Sequence, residues 1–198
     1  FSVMVNPDIF TGRLGNRMFQ IAYLYAQVKD GVIPDWYLQD PKYFEKYADE
    51  IKQLFGTGIG YLEQVGVHVR RAANPTNPDE PKYSENPFYV NLSETDYYEK
   101  AMAMFPDDNF LVFTDDLKWA REKFKDNPKV QVMDKGDEVD DMNLLASCKG
   151  IIGANSSWSW WAGFLCSNPD AKIVFPSKEH WYSDGIDRTS CPLVWTRI

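Results

Sequence analysis

The residues most able to do chemistry in this chain stand where apolar runs break off into polar clusters. Val65-Gly66-Val67-His68-Val69 ends in Arg70-Arg71, Phe110-Leu111-Val112-Phe113 ends in Thr114-Asp115-Asp116, and Gly150-Ile151-Ile152-Gly153-Ala154 ends in Asn155-Ser156-Ser157. Side chains of a strand alternate between faces, so His68 and Arg70 share one face and Arg71 takes the other. Arg70 is therefore the better candidate for an anionic ligand, because a guanidinium stays charged and offers a planar fork to phosphate oxygens. Ion pairing with nearby carboxylates is an equally weighted reading of the pair. His68 reads either as a packed histidine or as a group that hydrogen-bonds a base or ribose, or moves a proton. Asp115 and Asp116 lie between a strand and a helix, where a carboxylate caps the helix or accepts two hydrogen bonds from the amide and amine edge of guanine. Asn155-Ser156-Ser157 opens a helix, and amides there either hold an anion or are simply capped by these side chains. Trp158, Trp160 and Trp161 read as core, with sugar stacking by one of them as the alternative. The acidic pairs show no third ligand at metal-binding spacing, so no metal is expected.

Such clusters need a scaffold that brings strand ends to one rim. From Val65 onward, strand and helix patterns alternate: strand Val65–Arg70, helix Glu94–Phe105, strand Phe110–Thr114, helix Leu117–Lys125, strand Val130–Met133, helix Asp137–Lys149, strand Gly150–Ala154, a helix opening at Ser157, and a last strand Lys172–Phe175. This alternation predicts βαβ units in a parallel sheet, and the continuous apolar strands predict helices on both faces. Ligands of open α/β sheets bind at the carboxyl ends of the strands, where the polar clusters lie.

The first 62 residues differ. The glycine-flanked loop Gly12-Arg13-Leu14-Gly15-Asn16 leads into a helix over Gly15–Lys29, whose inner face carries Met18, Ile21, Ala22 and Tyr25. The loop resembles a phosphate cradle but lacks the P-loop lysine and the dinucleotide glycine spacing. Pro41–Leu54 reads as a more charged amphipathic helix, and Gly56-Thr57-Gly58-Ile59-Gly60 as a hinge or linker. Two units follow: a small N-terminal lobe, residues 1–62, and a Rossmann-type unit, residues 63–198. The long loop Ala72–Pro87 leaves the sheet directly from the Arg pair and is read as functional or disordered.

Composition narrows the classes. With 21 basic against 29 acidic residues the net charge is −8, which argues against a nucleic-acid or anionic-membrane binder. No apolar run approaches a membrane span. The three cysteines, Cys148, Cys166 and Cys191, are odd in number and widely spaced, which points to a reducing, cytoplasmic setting. The first two are expected in apolar helical stretches.

Taken together the segments resemble the α-1,2-fucosyltransferases of glycosyltransferase family 11. The resemblance rests on Gly12-Arg13-Leu14-Gly15-Asn16-Arg17-Met18-Phe19-Gln20-Ile21-Ala22; on Val67-His68-Val69-Arg70-Arg71; on Phe113-Thr114-Asp115-Asp116 with Trp119; and on Asp141-Met142, Cys148 and Ala154-Asn155-Ser156-Ser157-Trp158-Ser159-Trp160-Trp161. Pro176, Trp181, Pro192 and Trp195 fit the family's tail. The motifs come in family order over almost the whole chain.

The resemblance implies a GT-B-like α/β fold, with a Rossmann-type parallel sheet and a reduced N-terminal lobe. It implies inverting transfer of L-fucose from GDP-fucose to a galactoside hydroxyl in α-1,2 linkage, with no metal and no cofactor beyond the donor. It makes Arg70 and Asn16 the catalytic candidates, with Arg70 on the β-phosphate. His68, Asp115 and Asp116 would contact guanosine, Ser156 and Ser157 following Asn155 would cap the diphosphate, and Gly15 with Asn16 would approach the donor from the opposite lobe. Three departures stand out. Arg17 replaces the usual Gln. Ala72-Ala73-Asn74 replaces the Gly-Asp that usually follows the Arg pair, so Asp79, Glu80 or Glu85 is expected to supply a carboxylate base. The first lobe is small, so the acceptor side is expected to be open or completed by another subunit of a homo-oligomer. GDP-fucose transfer to a protein hydroxyl or another sugar position, and a non-catalytic sugar-nucleotide or glycan-binding module, are the competing readings.

Overall fold

The computed structural model describes residues 12–30, 40–56, 58, 60–71, 73–74, 77–81, 89–185 and 189–198. Helix α1 (Leu14–Asp30) is followed by two single turns of 3-10 helix, Pro41–Tyr43 and Glu45–Tyr47, and by α2 (Ala48–Phe55). Then come β1 (Leu62–Val69), the short pair β2 (Ala73–Asn74) and β3 (Asn77–Pro81), and α3 (Tyr97–Ala103). The remainder alternates: β4 (Phe110–Thr114), α4 (Leu117–Phe124), β5 (Val130–Val132), α5 (Glu138–Ala146), β6 (Cys148–Ile152), α6 (Ser157–Phe164), β7 (Lys172–Phe175), α7 (Lys178–Trp181) and β8 (Thr196–Arg197).

Six strands form one sheet in the order β5-β4-β1-β6-β7-β8, every neighbouring pair parallel. Counted along the chain, these parallel strands lie in the order 3-2-1-4-5-6, the Rossmann arrangement, and the strand order reverses between β1 and β6. The α/β, Rossmann-like expectation therefore holds.

Both faces of the sheet are buried, which explains the unbroken apolar strands. Leu111, Phe113, Ile151 and Ile173 pack with α1, α2, α5 and α6 on one side. Phe110, Val112, Ile152 and Val174 pack with α3 and α4 on the other. The first face carries the aromatic centre of the molecule. Phe19 of α1 lies 4.8 Å from the Trp160 ring and 4.9 Å from Trp161, and Phe44 stacks on Trp161 at 5.5 Å. The N-terminal helices thus cover the same sheet face as α5 and α6.

Several predicted boundaries move. The helix predicted over 41–54 is two 3-10 turns and a short α-helix, because Asp40 caps the turn at Pro41, accepting from Lys42 N at 3.0 Å, and Phe44 leaves helical backbone. The helix predicted from Glu94 begins at Tyr97, after a separate 3-10 turn at Leu92–Glu94. Cys148, predicted in a helix, opens β6, because α5 stops at Ala146 and the Leu62 amide donates to the Ser147 carbonyl at 2.7 Å. Lys172–Phe175 is not the last strand: β8 pairs with it at the sheet edge, and two polar residues give no apolar pattern to read. The loop after the Arg pair contains the antiparallel pair β2–β3. No helix among the described residues is long and apolar enough to cross a membrane.

Candidate functional site

The switch between β1 and β6 opens into a cavity of about 1090 Å³. Its lining includes Gly15, Asn16, His68, Arg70, Asp115, Asn155, Ser156 and Ser157, eight of the nine residues singled out from sequence. Asp116 is the exception, since its carboxylate is committed below the rim. One oxygen caps α4 by accepting from Trp119 N at 3.0 Å, and the other accepts from Arg71 Nε at 2.9 Å.

The arginines divide as strand alternation predicts. Arg71 is buried, donates to Ser93 Oγ at 2.5 Å and lies 4.7 Å from the centre of the Trp119 ring. It is part of the framework. Arg70 is half-buried and faces the cavity, with one guanidinium nitrogen 2.5 Å from Asp115 Oδ2. The other Asp115 oxygen accepts from the Arg71 amide at 2.8 Å. Both sequence readings of the pair thus hold at once: ion pairs orient the arginines, and Arg70 lies at the cavity. A carboxylate so occupied has little left for a purine.

His68 is only 7% exposed, its ring 4.7 Å from that of Trp158. Burial, with a smaller push from Arg70, lowers its pKa to about 3. The imidazole is therefore neutral at physiological pH and cannot serve as a phosphate cation. Its Nδ1 has no hydrogen-bond partner among the described residues, so the buried ring keeps a polar atom to offer at the cavity floor.

Two helix N-termini meet beside it. Ser156 caps α6 by accepting from Trp158 N at 3.3 Å. Ser157 Oγ donates to Asn16 Oδ1 at 3.0 Å, and Trp161 Nε1 donates to the Gly15 carbonyl at 3.0 Å. Gly15 is required for this approach: a Cβ there would sit 2.6 Å from Ser157 Oγ and 2.7 Å from its backbone carbon. The Ser157 hydroxyl is thus spent on holding the two helices together, and the Ser156 oxygen on capping its own helix. The dipoles of the two helix starts favour an anion beside them.

Asn155 has a role that sequence reasoning missed. Its amide nitrogen donates to the Val90 carbonyl at 2.7 Å and to the Trp181 carbonyl at 3.2 Å. It ties the segment after the long loop to the segment after β7, and its Oδ1 has no hydrogen-bond partner among the described residues. Asp141, part of the Asp141-Met142 motif, has no site role assigned to it from sequence. It is half-buried at the cavity wall and accepts from Gly136 N at 3.1 Å. Burial raises its pKa, and among the described residues no cation pairs with it. Gly136, where a Cβ would meet its carboxylate at 2.7 Å, was the available signal. Arg13, Arg17 and Lys135 also line the wall, so four cations face three carboxylates (Asp115, Glu138 and Asp141) in a chain whose net charge is −8. The cavity is locally suited to an anion.

Of the other expectations, Glu85 lies outside the described residues, as do the side chains of Asp79 and Glu80; Thr57 and Ile59 of the glycine hinge also lie outside. Trp160 and Trp161 are core as predicted, and Trp158 is the one tryptophan of the three at the cavity.

Comparison with known proteins agrees with this geometry. The profile of glycosyl transferase family 11 matches residues 34–185. An O-antigen biosynthesis glycosyltransferase of Escherichia coli, WbnK, is 30% identical over 181 residues, covering 79% of this chain and 57% of that protein. An alpha-1,2-colitosyltransferase of Escherichia coli is 25% identical over 181 residues, covering 81% of this chain and 60% of that protein. The chain thus spans less than two thirds of the length of either relative.

Proposed function

The chain belongs to glycosyltransferase family 11, and from that premise we propose that it moves L-fucose from GDP-fucose to a galactoside hydroxyl with inversion, forming an α-1,2 linkage. The observation that carries the reading is the convergence of Arg70 with the N-termini of α1 and α6 at the switch of a Rossmann-order sheet. The diphosphate takes the place such sheets give to anions.

The chemistry follows from where charge builds up. The acceptor oxygen forms a bond to fucose C1 from one side while the bond from C1 to the β-phosphate oxygen breaks on the other. The electron pair leaves with GDP, and the acceptor proton is given up to a base or to water. Charge grows on the departing phosphate, so donors fixed toward it stabilise the transition state more than the bound donor. Arg70, preset by Asp115, and the two helix starts supply them without a metal. Guanine presents an N–H and an amine on one edge and needs a carboxylate that no arginine occupies. Asp141 takes that role in place of Asp115 and Asp116, with the neutral His68 beside it.

The relatives' names favour a glycan acceptor over a protein one, and the name of the second keeps colitose as an alternative donor sugar. The free thiols of Cys148 and Cys166 favour a cytoplasmic setting. The test is calorimetric binding of GDP, followed by transfer from GDP-fucose and GDP-colitose to a panel of galactosides in EDTA, with linkage analysis of the product. Arg70→Ala is expected to lower kcat/KM at least 100-fold. Near-normal turnover in that variant, or no GDP binding by the native protein, overturns the reading.

A further inference from the structure

The cavity extends beyond the diphosphate position toward β7, and there its wall is aromatic. Tyr89 forms an antiparallel bridge with Tyr182, and their rings lie 5.4 Å apart at 34°. Tyr182 is buried and anchored by a hydrogen bond between its hydroxyl and Thr189 Oγ1 at 2.9 Å. Tyr89, resting on it, is 40% exposed and lines the cavity. The two carbonyls that Asn155 holds belong to Val90 and Trp181, the chain neighbours of these tyrosines. A single buried amide at the end of β6 therefore sets the position of the aromatic pair relative to the diphosphate position.

Sheet order decides what this wall faces. Asp115 follows β4, His68 lies near the end of β1 and Arg70 follows it, Asn155 to Ser157 follow β6, and Trp181 with Tyr182 follow β7. Strands are spaced about 4.8 Å apart. With guanine on the β4 side and the diphosphate between β1 and β6, the β7 side is left for sugar. A pyranose presents a face of C–H groups, which packs on an aromatic ring, while its hydroxyls remain at the edge for polar partners. From this arrangement we propose that the exposed ring of Tyr89, backed by Tyr182 and placed by Asn155, is the platform on which the acceptor sugar stacks. The inference rests on the transferase reading above and names the acceptor subsite of that same cavity.

The test uses the whole protein with lactose as acceptor probe and compares Tyr89→Ala, Tyr89→Phe and Tyr89→Trp. Alanine is expected to raise the lactose KM at least 10-fold and leave the GDP-fucose KM within 2-fold, while Phe and Trp stay near the native value. A merely structural role would not spare the donor or accept both aromatic replacements. An unchanged lactose KM in Tyr89→Ala, or a rise confined to the donor, overturns the platform and leaves the transferase reading standing. If the native protein transfers to no galactoside, that reading falls, and saturation-transfer NMR with methyl β-galactoside in the presence of GDP decides the platform alone. Contact at the sugar's ring hydrogens that is lost in Tyr89→Ala upholds it; no contact, or equal contact in both proteins, overturns it.

Discussion

At the scale of single residues, two groups in the cavity owe their roles to what they are denied. Among the described residues Asp141 has no ion-pair partner such as Asp115 has in Arg70, and while its Oδ2 accepts from Gly136 N, its Oδ1 is left for a base edge. Asp141→Asn keeps the shape but turns one acceptor into a donor that faces the donors of guanine. GDP binding is expected to weaken by about 1–3 kcal/mol, roughly 5- to 150-fold, with a smaller change for UDP; calorimetric titration with both nucleotides checks it, and equal losses would remove Asp141 from base recognition. His68 lacks water. Its folded pKa of about 3 lies below the model-peptide value of 6.5. Between those values the unfolded chain binds the proton and the native one does not, so stability is full above about pH 6.5 and declines as the pH falls toward 3. The slope is at most about 1.4 kcal/mol per pH unit. Urea unfolding at pH 7 and pH 5 is expected to show a difference about 1–2 kcal/mol smaller in His68→Gln than in the native chain. An identical difference in the two proteins would mean that His68 titrates normally in the fold.

At the scale of elements, the decisive contact is between the first turns of α1 and α6, far apart in sequence. Gly15→Ala puts a methyl against the Ser157 backbone, which belongs to a capped helix and yields less than a side chain would. Overpacking of this kind costs about 1–3 kcal/mol, and the shift separates the two amide clusters. The variant is expected to melt at a lower temperature and to bind GDP more weakly, with the m-value unchanged; native-like melting and binding would show that the helix starts act independently. The sequence carried part of this arrangement. Parallel strands buried on both faces must be apolar throughout, so the ends of β1, β4 and β6 were visible as sudden polarity in Arg70, Asp115 and Asn155. The sharing of roles among them was not visible. Whether a carboxylate serves a ligand or an arginine, as with Asp115 against Asp141, depends on contacts 45 residues apart. Asn155 looked like a ligand residue because nothing local reveals the Val90 and Trp181 carbonyls it holds. Helix breaks at Phe44 and the two-residue β8 escaped because their causes are an Asp40 cap and an edge pairing, not a periodic pattern.

At the scale of the whole molecule, the question is how the segment before residue 62 relates to the sheet that follows it. Phe19 sits between Trp160 and Trp161, and Phe44 stacks on the latter, so α1 and the 3-10 turns share one apolar cluster with α5, α6 and the sheet. Among the described residues, the most buried rings of this segment, Phe19 and Phe44, lie against α6 rather than in a core of their own, so they lose their packing when α6 leaves the sheet. The two units read from sequence are therefore expected to unfold together. Trp160 and Trp161 report the shared cluster, while far-UV circular dichroism reports helices on both faces, so the two signals should give coincident urea transitions. Phe19→Ala removes a ring from the centre of the cluster at a cost of about 3–5 kcal/mol, and it should shift both signals equally. GDP at 100 times its Kd should add about 2.7 kcal/mol to the same single transition, because its binding groups come from α1 and from the sheet rim together. Two separated transitions, with GDP moving only one of them, would instead make the N-terminal segment an independent lobe and confine the nucleotide site to the remainder of the chain.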